Sequence, residues 1–401
     1  MPVSGWMRVP DFSRNLWLLL AQNVAVFLGI ALQALVLNLY LVLLGYREDF
    51  IGTLVFAQTA AIGLAALPAS WLAPRIGHRL CLLIATATLS ISFAAMALIE
   101  QAIPLIAASI LNGVSMALIF VPSAPFLMEN SRPDQRRAAF SANCAALSVA
   151  SVLGSALGGQ MPRMVGGGEL EAYRVALLAG AALTLLGVPP LLMANDRRVA
   201  ETTVPTAPDA TPGRARGTRR DFLMMVISTG LLAASTGLVV AFFNVYLRDI
   251  IGSGTETIGT VFAIASLVMA PASLGAPALA RRWGPVPVIA LTRIACVPLI
   301  LFMIVWSNLW VASTVYIVRS ALMGVGQPLD NASLMDFFGP RERARVAAGR
   351  TLAWNLGWAV ATFLGGLAIV SFGYGTIFAA AMVLTVGSVA THFFTFRGRL
   401  T

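Results

Sequence analysis

Twelve apolar runs, most of about 20 residues or more, follow one another at about 16–45, 51–73, 80–99, 103–126, 138–161, 175–193, 222–247, 257–280, 286–306, 309–335, 346–370 and 374–396. Coiled as a helix, a run of this length matches the hydrocarbon core of a bilayer. In lipid only helices and closed barrels satisfy their own backbone groups. The expectation is an all-α integral membrane protein of twelve transmembrane helices. Composition agrees, with 58% of residues hydrophobic and only 11% charged, against roughly 25% charged in soluble domains. The first run is too long for a signal-peptide core and reads as a retained helix.

A polar stretch, 194–221, with Arg197, Arg198, Arg214, Arg216, Arg219, Arg220 and three prolines, divides six runs from six. We expect a first half over 1–193, a linker over 194–221 and a second half over 222–401. All 27 basic residues are arginine. Without lysine the chain lacks the P-loop amine and the Schiff-base amine, which excludes those enzymes. The net charge of +10 fits arginine-rich cytoplasmic loops better than nucleic-acid binding. With the N-terminus in the cytoplasm, 21 arginines fall in cytoplasmic segments, four (Arg47, Arg163, Arg174, Arg248) on the opposite side, and Arg293 and Arg319 inside the membrane. Both termini and the linker are therefore expected in the cytoplasm, with the protein in a cell (inner) membrane. Cys81, Cys144 and Cys296 lie in apolar stretches, and His78 and His392 lie far apart. Neither metal nor cofactor is expected from this set.

The halves repeat. Ile51-Gly52-Thr53 recurs 207 positions later as Ile258-Gly259-Thr260, and the same offset pairs Arg75 with Arg282, Gly77 with Gly284, Glu129 with Asp336, Arg136 with Arg343, and Gly158-Gly159 with Gly365-Gly366. Before the first outer loop the offset is 206, as in Asn38-Leu39-Tyr40 and Asn244-Val245-Tyr246. Parallel repeats of this kind are a transporter architecture.

Two six-helix repeats joined by a linker resemble the major facilitator superfamily, over essentially the whole chain. The family's loop signature between helices 2 and 3, Gly-x-x-x-Asp-Arg-x-Gly-Arg followed by a basic residue, stands here as Ser70-Trp71-Leu72-Ala73-Pro74-Arg75-Ile76-Gly77-His78-Arg79. Arg75, Gly77 and Arg79 match, while Pro74 replaces the Asp and Ser70 the first Gly. The glycines of the exporter-branch signature on helix 5 recur as Gly154, Gly158 and Gly159 without its proline; close helix packing accounts for such residues equally well.

The resemblance implies a central cavity lined by helices 1, 4, 7 and 10. On helix 10, Tyr316, Arg319 and Asp330 share one face, and their repeat partners on helix 4 are Ser109, Asn112 and Ser123. On helix 1, Gln22, Gln33 and Tyr40 share a face, and Ser228, Ser235 and Tyr246 do so on helix 7. We take Gln33, Tyr40, Asn112, Tyr246, Tyr316 and Arg319 as candidate substrate contacts, because polar faces in apolar spans need water or partners. Arg319, near mid-span, is read either as an anchor for an anionic or carbonyl-bearing solute or as a structural charge. Asp330 is read as an ion pair with Arg293 or as a proton site; helix 1 carries no acid between Arg14 and Arg47, which weakens proton antiport. The resemblance further implies a latch on the cytoplasmic side in the outward-open state, pairing Arg75 with Glu129 and Arg282 with Asp336, with Arg79 and Arg343 alongside.

The function expected is alternating-access transport of a small organic solute by a monomer, with or without protons. Export of a partly hydrophobic compound comes first, on the Met and aromatic content of the expected cavity (Met116, Phe120, Phe242, Phe243, Met323). Uptake of an organic anion through Arg319 is the alternative within the class, and a transporter-like membrane sensor the alternative outside it. No enzyme motif is visible.

Overall fold

The computed structural model describes residues 12–132, 135–165, 168–195, 217–338 and 342–397; the side chains of 137, 335, 336, 343 and 344 lie outside this description. Twelve helices are long and apolar enough to cross a membrane: span 1 Arg14–Leu43, span 2 Glu48–Ile76, span 3 His78–Leu98, span 4 Ala102–Glu129, span 5 Ala138–Met164, span 6 Glu169–Met193, span 7 Arg219–Asp249, span 8 Thr255–Trp283, span 9 Pro285–Val305, span 10 Leu309–Leu334, span 11 Arg345–Phe372 and span 12 Tyr374–Phe396. The helix of span 10 continues to Phe338. Large apolar side chains such as Leu67, Ile103, Leu274, Trp310 and Phe394 stand mostly exposed, on a surface that lipid can cover.

Three spans are broken. Span 6 is interrupted at Gly187 ahead of Pro189 and Pro190, span 7 at Ala241 and Phe242, and span 9 at Ala295. Pro298 explains the last, since its ring clashes with the carbonyl four residues back, at Ile294. The turns between spans 2 and 3 and between spans 8 and 9 pass through Gly77 (φ 91) and Gly284 (φ 81), a backbone region that side chains disfavour. These two glycines are repeat partners.

We call the side carrying residues 195 and 217 the linker side and the opposite one the far side. Spans 2 and 11 pack together across the molecule, as do spans 5 and 8. The largest apolar core joins both groups of six spans at the far side, through Leu35, Leu39, Ile51, Phe242, Phe243, Ile258 and Tyr316 among others. On the linker side the cores are separate: Leu16, Leu82, Phe126 and Leu191 in the first six spans, Val286, Leu334, Phe338 and Phe396 in the last six. The halves thus meet at the far side and part toward the linker.

Candidate transport site and far-side gate

At the far side the repeat contacts itself. Asn38 Nδ2 donates to the Ala241 carbonyl at 2.8 Å, and Asn244 Nδ2 donates to the Leu35 carbonyl at 2.9 Å. Donors and acceptors are each 206 positions apart, so this is one contact made twice. Helix crossings follow the same rule. A methyl group on Gly52 would fall 2.4 Å from the Thr362 carbonyl oxygen, and one on Gly259 would fall 2.8 Å from that of Ser155. Glycine is needed at both because the backbones approach within side-chain distance. Hydrogen bonds of Tyr374 with Glu48, Tyr173 with Thr255, and Arg248 with the Leu39 carbonyl and Glu169 tie the halves further. Arg163 and Glu256 add an ion pair at 3.5 Å.

The chemistry gathers in the last six spans. Asp330 on span 10 is 3% exposed, and its Oδ2 accepts from Arg293 of span 9 at 3.0 Å and from Arg350 of span 11 at 2.9 Å. His392 Nδ1 of span 12 lies 3.5 Å from the other carboxylate oxygen. Arg293 also donates to Ser228 and Ser388, and Arg350 to Asn331 at 2.7 Å. Beside this cluster a cavity of about 470 Å3 is lined by Gln327, Asp330, Asn331, Arg350, Thr351, Trp354 and Asn355, with Thr229 and Leu232 of span 7.

Arg319 lies 11 residues from Asp330 on the same helix, roughly 16 Å along its axis. It is 3% exposed and within electrostatic reach of Tyr316 and Cys296. Among the described residues its guanidinium has no hydrogen-bond or ion-pair partner. Two arginines, Arg293 and Arg350, thus share the Asp330 carboxylate, and Arg319 stands apart from it. Among the described residues no group of His, Cys, Asp and Glu could hold a metal.

Other expected site residues sit elsewhere. Asn112 accepts from Gln58 at 3.0 Å, on the packing face between spans 2 and 4. Gln33, Tyr40 and Tyr246, expected on the cavity, point into their own halves instead. Tyr40 donates to the Ala97 carbonyl at 3.0 Å, Tyr246 to that of Met303 at 3.4 Å, and Gln33 reaches Met96 of span 3. Ser228 and Ser235 likewise bond to span 12. The hydroxyls of these stripes are therefore satisfied inside each half, where a buried hydroxyl finds a carbonyl as readily as water, while the buried amide oxygens of Gln22 and Gln33 have no hydrogen-bond partner among the described residues. Tyr316 stacks on Phe243, ring centroids 4.1 Å apart. Phe242 and Phe243 are fully buried in the far-side core, so these two of the aromatics expected to line a cavity close that side instead, whereas Phe120 of span 4 is 48% exposed.

On the linker side Arg75 lies over the Trp71 ring, 3.3 Å from its centroid, while Glu129 pairs with His78 at 3.0 Å. The Arg75–Glu129 pair is thus not formed in this conformation, whose linker side is apart. Arg79 donates to the carbonyls of Leu191 and Leu192, and Arg282 stands 5.8 Å from the Trp283 ring. The side chains of Asp336 and Arg343 lie outside the described residues. Arg350 and His392 were not among the residues expected to act.

Two repeats of six membrane helices, joined at one side, with a buried charged cluster inside the second repeat, define a secondary-transporter fold. The sequence model of the Major Facilitator Superfamily matches residues 19–362, and the chain belongs to that family of transporters. No curated protein matches the chain. Solved structures similar to it include the nucleoside transporter NupG (14% identity, TM-score 0.78, covering 95% of this chain and 100% of that one). A bacterial homolog of the human lysosomal transporter Spinster, in an inward-facing and occupied conformation, gives 15%, 0.74, 95% and 96%. A D-xylose–proton symporter gives 13%, 0.75, 95% and 97%. At these identities the likeness is one of fold.

Proposed function

We propose that the chain carries a small organic anion across the membrane by alternating access, with the halves 1–193 and 222–401 rocking about the far-side seam and the linker 194–221 in the cytoplasm of a bacterial cell. The observation that carries this is Arg319, a buried guanidinium without a partner among the described residues. A charge at such depth is costly unless something compensates it, and Asp330, roughly 16 Å away along the helix, already serves Arg293 and Arg350. An anionic solute supplies the missing charge. The far-side burial of Phe242 and Phe243 supports this reading over export of a lipophilic compound, since it takes two of the expected aromatic contacts out of the cavity. On the positive-inside bias the parted linker side is the inward-facing one. We place solute entry or exit at the polar cavity beside Arg350 and binding near Arg319.

The test is transport of a panel of organic anions, neutral solutes and lipophilic cations in inside-out vesicles, with and without a proton gradient, for wild type and Arg319→Ala. Anion transport lost in the variant supports the reading. Transport of cations or neutral compounds that survives the substitution overturns it and restores export of a partly hydrophobic compound.

A further inference from the structure

Spans 11 and 12 both pack on span 7 but barely touch each other. The gap between them is a groove of about 530 Å3 on the outer wall of the second half, lined by apolar side chains apart from Thr376. Its floor is made small by Gly230 and Ala234 of span 7 and Gly357 of span 11, while Leu356 and Leu364 on its rim are 58% and 55% exposed. At the repeat positions of span 1, 206 residues earlier, stand Val24 and Leu28. The groove thus depends on a departure from the repeat, with a hydrogen and a methyl group where the first half has branched side chains.

The lining runs along span 7 from Val226 to Leu238 and along span 11 from Ala353 to Ala368, roughly 18 and 22 Å at the helical rise. That exceeds half of a hydrocarbon core about 30 Å thick, the reach of one leaflet. At the linker side each of the three helices carries an exposed arginine: Arg219, Arg345 and Arg397. Arg219 shares a helical face with Val226 and Gly230, seven and eleven residues on. The Arg345 guanidinium lies over Phe222 at 4.6 Å and that of Arg397 over Phe393 at 5.1 Å, and both rings pack on the same cluster as Val226. Spans 7 and 11 begin there, adding the positive ends of two helices. Glu342, which lines a small cavity with Arg219 and Arg345, leaves the corner net positive.

We propose that this groove binds one membrane phospholipid with an acidic headgroup, its acyl chain lying over Gly230 and Ala234 and its phosphate meeting Arg219, Arg345 and Arg397. An apolar groove within the bilayer and a cationic corner at the headgroup level fit the two ends of one such molecule.

Native mass spectrometry of the full-length protein, released from detergent with added phosphatidylglycerol or phosphatidylcholine, tests this. One phosphatidylglycerol is expected to remain on the wild type in preference to phosphatidylcholine. Replacing each arginine by Gln is expected to reduce that preference by about fivefold. The double variant Gly230→Val/Ala234→Leu, which copies span 1, should lose retention of both lipids, and Ala380→Leu on the opposite wall should do the same if the double variant unfolds. Equal retention of the two headgroups by wild type, undiminished retention in the filled variants, or a dimeric mass in place of the lipid adduct would overturn the proposal.

Discussion

Asp330 is the residue on which most of the buried charge converges. Removing one member of such a cluster leaves the others without compensation, at a cost of about 3–5 kcal/mol. Asp330→Ala is accordingly expected to lower the thermal unfolding midpoint in detergent, whereas Ser371→Ala, at an exposed hydroxyl bonded within its own helix, should leave it unchanged. Arg319 should behave in the opposite way: Arg319→Ala, which removes an uncompensated charge, is expected to keep or raise that midpoint. The same variant should weaken the apparent KM for the transported anion by roughly 10- to 100-fold, the range of a charged hydrogen bond, with Arg319→Lys between. A fall in stability for Arg319→Ala would mean that its charge is structural. Arg293, Arg319 and Asp330 were legible in the sequence because a charge inside an apolar run stands out. Arg350 was not, because it begins where an arginine-rich helix start ends; seven residues beyond Arg343 put it about 10 Å deeper along the helix. Tyr40 and Tyr246 show the other limit: helical period says which residues share a face, not which neighbour that face meets.

Among the helices, the crossings at Gly52 and Thr362 and at Gly259 and Ser155 set how closely the far side can shut. A bulky residue there would hold spans 2 and 11, or 5 and 8, apart. Gly259→Leu is expected to bias the protein toward a state open at the far side, read as faster labelling of a single cysteine at Asn38 and slower labelling of one at Asn355. Unchanged rates would show that the crossing does not govern closure. All twelve spans were visible as apolar runs, with ends displaced by a few residues; span 6 starts at Glu169 rather than near 175 because Glu169 and Glu171 suit a helix N-terminus. The breaks at Gly187, Ala241 and Ala295 were not visible, since hydropathy continues through them while the backbone does not.

For the whole molecule, alternating access requires the far-side seam to open. A disulfide between Asn38→Cys and Asn244→Cys should abolish transport, and reductant should restore it; transport that persists with the bond formed would mean that the seam stays shut throughout the cycle. Closing the linker side is expected to bring Arg75 to Glu129. Charge reversal of Glu129 should then impair transport, with partial rescue by Arg75→Glu, whereas additive losses would contradict the pairing.

The paired contacts of Asn38 with Ala241 and Asn244 with Leu35 have the form of an isologous interface, the kind two identical subunits make across a dyad. Here the two sides are encoded separately, so each is free to change without its mirror image. A true homodimer placing an arginine at the position of Arg319 would place it twice, burying two such charges in one molecule. Fusion into one chain removes that constraint, and the molecule keeps the contacts of a symmetric seam while carrying Asn112 on one side and an arginine on the other.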